Sequence, residues 1–148
     1  MAEKTYKIDL SLGFKTFEIK FKEFEEPVYI QFNPADEDLP KRLFEAQKKI
    51  EEETKTIEAQ EGEIDTELFI EQQSRLNQII YDAIDYAFGN KISDKVFMHC
   101  SPLARVNGKL FIMEFIDGIT PVIKTIVASE NKKATDNMEK YYSKYAKK

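Results

Sequence analysis

The chain has one cysteine, one histidine, no tryptophan and only five glycines among its 148 residues. Each scarcity removes a class of function. A single thiol, Cys100, cannot form a disulfide within the chain, so a secreted disulfide scaffold is excluded and a reducing cytoplasm is the expected setting. A closed zinc site takes about four protein ligands and a catalytic one about three, whereas His99 and Cys100 are adjacent and their side chains diverge on any regular backbone. Adjacency also keeps thiol and imidazole out of hydrogen-bond reach, which removes a Cys-His nucleophile; Met98-His99-Cys100 reads as loop or core packing. Gly13, Gly62, Gly89, Gly108 and Gly118 fit neither G-x-x-x-x-G-K nor G-x-G-x-x-G, so no phosphate-cradling loop is written here. No stretch approaches the roughly 20 apolar residues that span a bilayer, and from Tyr6 onward apolar and polar residues alternate instead of forming a leader. Neither a membrane partner nor a recognisable export signal is expected.

What is present is charge. The net charge of −5 and isoelectric point near 5.1 repel a phosphate backbone, so nucleic acid is not an expected partner. The balance is uneven: residues 130–148 hold six lysines and three acidic residues, +3, which leaves −8 for the rest. Hydrophobic residues at 42% still outnumber charged ones at 33%, enough to fold a single domain over residues 1–129, with 130–148 as a Lys/Tyr-rich C-terminal helix or flexible tail.

The patterning predicts an α+β fold. Tyr6, Ile8, Leu10 and Leu12 alternate with polar residues, as do Phe17, Ile19 and Phe21, and Val28, Ile30 and Phe32 form a third short run between Pro27 and Pro34. These runs predict an N-terminal antiparallel sheet of about three strands over residues 5–32, with a turn at Gly13-Phe14-Lys15, packed against a mainly helical remainder. The turn formers and acids of 33–38 predict a helix starting between Asp36 and Pro40. Leu43, Gln47, Ile50, Thr54 and Ile57 make its seam at heptad spacing, and residues 60–63 interrupt it. A second helix is expected from Asp65-Thr66-Glu67, with a broad stripe from Leu68 and Phe69 to Phe88 and a stop at Gly89-Asn90, which completes a long helical hairpin. Ser93–Phe97 predicts one capped helical turn. Asn107-Gly108 signals a hairpin only between alternating residues, and Leu110-Phe111-Ile112-Met113 does not alternate, so a helix is read there. Gly118 and Pro121 predict a kink or break between two shorter pieces of that helix.

Asp82 and Asp85, three apart on one helix face, are the one carboxylate pair with a conceivable acid-base or metal role; with no third ligand beside them, solvated surface is the expected role. No catalytic residue, metal or cofactor is expected. Met138, Tyr141, Tyr142 and Tyr145 recur at helical spacing among Lys140, Lys144, Lys147 and Lys148, an aromatic stripe on a basic background. Together with Leu43, Ile50 and Ile57, these residues are the candidate partner-binding set. A coiled-coil adaptor or structural homo-oligomer is the alternative reading, and a carboxylate-based metalloenzyme the remote one.

The stretch Ala83-Ile84-Asp85-Tyr86-Ala87-Phe88-Gly89, then Ser93-Asp94-Lys95-Val96-Phe97, Ser101-Pro102, Glu114-Phe115 and Pro121-Val122-Ile123, resembles the order of short signatures in tail assembly chaperones of long-tailed phages and prophages of Gram-positive bacteria. The resemblance covers roughly residues 6–127 and rests on the order of signatures that are each short; Met98-His99-Cys100 stands where a small or Gly-rich turn is expected. It implies a non-enzymatic protein of the bacterial host cytoplasm that binds the tape-measure protein, helps recruit tail-tube subunits, and leaves before the virion is mature. A longer frameshifted product is common in that family, and Lys147-Lys148 is compatible with a slippery adenine-rich codon run.

Overall fold

Val28, Ile30 and Phe32 face inward from a strand whose other face, Tyr29 and Gln31, is exposed, the alternation that one buried sheet face requires. In a computed structural model that describes residues 3–58 and 65–146, with the side chains of 57, 58, 145 and 146 outside that set, this strand is β2 (Val28–Phe32). It pairs antiparallel with β1 (Lys15–Ile19), Phe17 opposite Ile30 and Ile19 opposite Val28. The sheet has these two strands, not three. Tyr6, Ile8, Leu10 and Leu12 lie in an irregular stretch ahead of β1 and are 72–89% exposed, so the first expected strand has no partner edge. Gly13, at φ +70°, carries the chain past the Asn33 side chain and does not turn it back onto β1.

The sheet is too small to stand alone, and helices cover its apolar face. α1 (Leu39–Glu58) follows a turn in which Asn33 Oδ1 accepts the Ala35 N–H and Asp36 Oδ1 accepts the Asp38 N–H. α2 (Thr66–Phe88) starts where the sequence predicts: the Asp65 carboxylate accepts the Leu68 N–H at 2.8 Å. It ends at Gly89, whose φ of +69° is the left-handed conformation that closes a helix at low cost only for glycine. The interruption expected at 60–63 lies outside the described residues. α1 and α2 pack antiparallel, as the Arg42 Nε–H to Ala87 carbonyl bond (3.1 Å) and the Tyr86 hydroxyl to Glu45 contact (3.4 Å) fix.

Arg42 also reaches Asp36 at 2.6 Å, with the arginine largely buried, and this guanidinium, aided by the Asp38 N–H, holds the Asp36 carboxyl below the usual carboxylate range. A carboxyl with a depressed folded pKa stabilises the fold above its unfolded value, near about 3.9, and that contribution is lost as pH falls through the folded value. Asp36→Asn is therefore expected to flatten the loss of stability below about pH 4, read by urea midpoints at stepped pH; an unchanged acid slope would refute the assignment.

Beyond Gly89 the chain turns through α3 (Ser93–Val96), then forms a minimal hairpin, β3 (Arg105–Val106) and β4 (Lys109–Leu110), around Asn107 and Gly108 at φ +52° and +83°. These are the paired positive dihedrals of a two-residue hairpin turn. The hairpin signal therefore holds at Asn107-Gly108, and the helix begins one residue after it. α4 (Phe111–Ala146) runs as one helix through Gly118 and Pro121, where a kink or break was expected; there is no break. Ile112, Ile116, Ile119, Ile123 and Val127 pack it on the shared core along with Ile30, Phe32, Ile80 and Ile84, and this seam extends on both sides of the proline.

Candidate partner-binding surfaces

Val127 is the last α4 residue packed on the core, and Glu130 makes an ion pair back to Lys15 (3.6 Å). From Asn131 to Lys144 every residue is exposed, so at about 1.5 Å per residue the end of α4 projects some 20–24 Å without packing on the body. A helix that short is marginal in water by itself, and one with no buried face gains nothing from tertiary contacts. Met138, Tyr141 and Tyr142 lie on this projection, 57–62% exposed, with the two tyrosine rings edge to face at 5.9 Å. Lys140 and Lys144 flank them. The arrangement is that of an amphipathic anchor: rigid aromatic area of the kind that dominates protein interfaces, inside a basic rim. The side chain of Tyr145 lies outside the described residues.

The hairpin seam is placed differently. Ile50 is buried and Leu43 half-buried, both in the core that α1 and α2 share, so α2 already covers them; Ile57 closes α1 with its side chain outside the described set. Among the described residues the hairpin's exposed large hydrophobics are others: Phe44 on α1, and on α2 Leu68, Phe69 and Ile70 in the first turns and Tyr86 near the end. Leu68 and Phe69 begin the broad apolar stripe expected on the second helix, but that stripe is buried only from Leu76 onward. Phe44 and Ile70 carried a readable signal: each is an apolar residue one step off a stripe that its neighbour already occupies, and one helix face cannot bury both.

Asp85 also departs from its expected role as solvated surface. It is half-buried; its Oδ1 accepts the backbone N–H groups of Ile92 (2.9 Å) and Ser93 (2.8 Å), and its Oδ2 accepts the Ser93 hydroxyl (2.9 Å). The carboxylate of α2 thus caps α3, and Asn90 Nδ2 donates to the Gln31 carbonyl (2.7 Å) to tie the same corner to β2. Asp82 instead accepts from Gln78 Nε2 (2.9 Å). The two carboxylates serve separate structural bonds, and among the described residues no group of three or more His, Cys, Asp and Glu is placed to hold a metal ion. Asp85→Ala strands two N–H groups and is expected to lower stability by about 2–4 kcal/mol, with Asp85→Asn milder, by urea unfolding. A loss under about 0.5 kcal/mol would show that water replaces the carboxylate.

His99 is stacked on Phe24 (3.8 Å between ring centroids) with Phe21 at its edge, and burial pushes the neighbouring Cys100 thiol above its usual pKa, away from the thiolate a nucleophile needs. Compared with models of protein families, with curated proteins and with solved structures, the chain matches none. No helix among the described residues is long and apolar enough to cross a membrane.

Proposed function

We propose that the protein acts by binding another protein, and specifically as a tail assembly chaperone that holds the helices of a tape-measure protein and helps recruit tail-tube subunits around it. The observation that carries the reading is the exposed end of α4 with Met138, Tyr141 and Tyr142 outside any packing of the chain's own core. A holdase for long amphipathic helices needs an apolar anchor, soluble flanks and moderate affinity, and a projecting basic helix with an aromatic patch supplies these for an acidic or amphipathic helical partner. The ordered signatures from Ala83 to Ile123 point to the same family. Two of them are physically one corner, since Asp85 of the first binds the N–H of Ser93 in the second.

The test is co-expression with the very long helical protein encoded beside a tail-tube gene in the same cluster. The expected result is that the long protein, aggregated alone, stays soluble and co-purifies with this chain. If it stays aggregated with this chain present, the chaperone reading fails.

A further inference from the structure

Charge in this chain is segregated lengthwise. Residues 51–71 hold nine acidic residues and one lysine, −8, residues 130–148 carry +3, and the rest of the chain sums to zero. The fold sets those two stretches at opposite ends. Phe111, at the start of α4, lies against Phe97, which contacts Tyr81 of α2, and Phe115, one turn on, contacts Phe88 where α2 finishes. α4 therefore runs the same way as α2 and leaves the body past the ion pair of Lys15 with Glu130. Leu68, in the first turns of α2, lies about 30 Å back along that helix from Phe88, at about 1.5 Å per residue.

At each end an apolar row outruns the core. On α4 the core residues Ile116, Ile123 and Val127 are followed on the same face by Ala134, Met138 and Tyr141, at spacings of seven, four and three, all exposed. On α2 the buried row Leu76, Ile80 and Ala83 reaches back seven residues to Phe69, which is 51% exposed between the exposed Leu68 and Ile70. Recurrence at three, four and seven marks a helix face that another helix covers. Lys132, Lys140 and Lys144 flank the first row, and Asp65, Glu67 and Glu71 flank the second, every one exposed.

We propose that the end of α4 packs on the first turns of α2 in a second copy of the chain. A chain cannot make this contact with itself, because the two rows leave a continuous core at opposite ends. Like ends do not pair either: two α4 ends bring lysines together and two hairpin ends bring glutamates together, and like charges set against each other across a contact are destabilising. Of the surfaces the helices offer, the unlike ends match in both charge and apolar spacing. Copies lying side by side in opposite directions and copies joined end to end bring the same two surfaces together, and the contact is common to both. It does not rest on the proposed function, since no other protein enters it, but it covers the same helix end, so a helical partner has to displace the second copy.

The first measurement is the mass of the full chain by light scattering across a concentration series. The mean mass is expected to rise above the monomer's by about 100 μM at about 50 mM salt, and to fall back at about 0.5 M. Glu67→Lys with Glu71→Lys makes the hairpin end basic, and Lys140→Glu with Lys144→Glu makes the α4 end acidic. All four side chains are exposed, so each variant alone is expected to be a monomer with the parent's circular dichroism spectrum and melting temperature. Mixed in equal amounts, the two are expected to associate, since one keeps the α4 end and the other keeps the hairpin end. A synthetic peptide of residues 128–148, in about tenfold excess over the parent chain, is expected to return it to the monomer mass and needs no variant to fold. A parent that stays monomeric at low salt, a variant that associates alone, a mixture that stays monomeric, or a peptide without effect each overturns the proposal. Failure here leaves the reading of α4 as a partner-binding helix untouched.

Discussion

Phe32→Ala is expected to lower the stability of the fold by about 3–5 kcal/mol, a large share of the roughly 5–15 kcal/mol that holds a domain of this size together. Phe32 is fully buried; its ring stacks on Phe17 at 4.4 Å and meets Phe88 edge on at 4.8 Å, and Phe88 in turn contacts Phe115 of α4. One side chain therefore joins the sheet to α2 and, through it, to α4. Alanine removes the transfer energy of the ring and leaves a cavity that three separate elements cannot collapse together. Tyr29→Ala, on the exposed face of the same strand, is the control and should cost under about 1 kcal/mol. Urea unfolding with an unchanged slope and a strongly lowered midpoint for Phe32→Ala alone is the expected pattern. Similar midpoints for the two variants would mean that the sheet does not rest on this residue.

The elements that were legible in the sequence are those whose partners lie on their own periodic face. Val28, Ile30 and Phe32 marked a strand, Asp65 and Gly89 marked both ends of α2, and the structure uses all of them in the expected way. Residues 6–12 alternate just as clearly, yet alternation states only that one face is apolar, not that an edge within the same chain will receive it. Asn107-Gly108 was discounted because β3 and β4 are two residues long, too short for any period to show, although the turn chemistry itself was sufficient.

The break expected at Pro121 is absent for an energetic reason. An interior proline costs a helix about 3 kcal/mol. Burial of Ile116, Ile119, Ile123 and Val127 on either side of it, at about 1.5–3 kcal/mol for each fully buried side chain, outweighs that and keeps the helix continuous. The candidate sites divide along the same line. Met138, Tyr141 and Tyr142 could be picked out because aromatic residues among lysines have no covering face to join, whereas Leu43 and Ile50 showed an apolar seam without saying which helix covers it. Asp85 was paired with Asp82 because side-chain motifs ignore backbone donors, and its real partners, the N–H groups of Ile92 and Ser93, carry no residue signature.

Tyr141→Ala with Tyr142→Ala is expected to weaken capture of the helical partner by about 30-fold or more while leaving the fold's stability within about 0.5 kcal/mol. The stability half follows from exposure: neither ring is part of the core, and α4 is held by its residues up to Val127. The binding half follows from chemistry, since truncating a tyrosine anchor at the centre of an interface commonly costs about 2 kcal/mol or more, and 1.4 kcal/mol is a factor of ten. Alanine is the better helix former, so the substitution cannot act by melting the projection. Replacing Lys140 and Lys144 with glutamine should act differently, slowing association and flattening its salt dependence with a smaller loss of affinity, because rim charges steer encounter more than they hold the complex. Titrating the co-purified partner against the three proteins at low and high salt separates these effects. Full capture by the double tyrosine variant would remove the end of α4 as the binding element and turn attention to Phe44, Leu68, Phe69, Ile70 and Tyr86, the exposed large hydrophobic residues among the described residues of the hairpin.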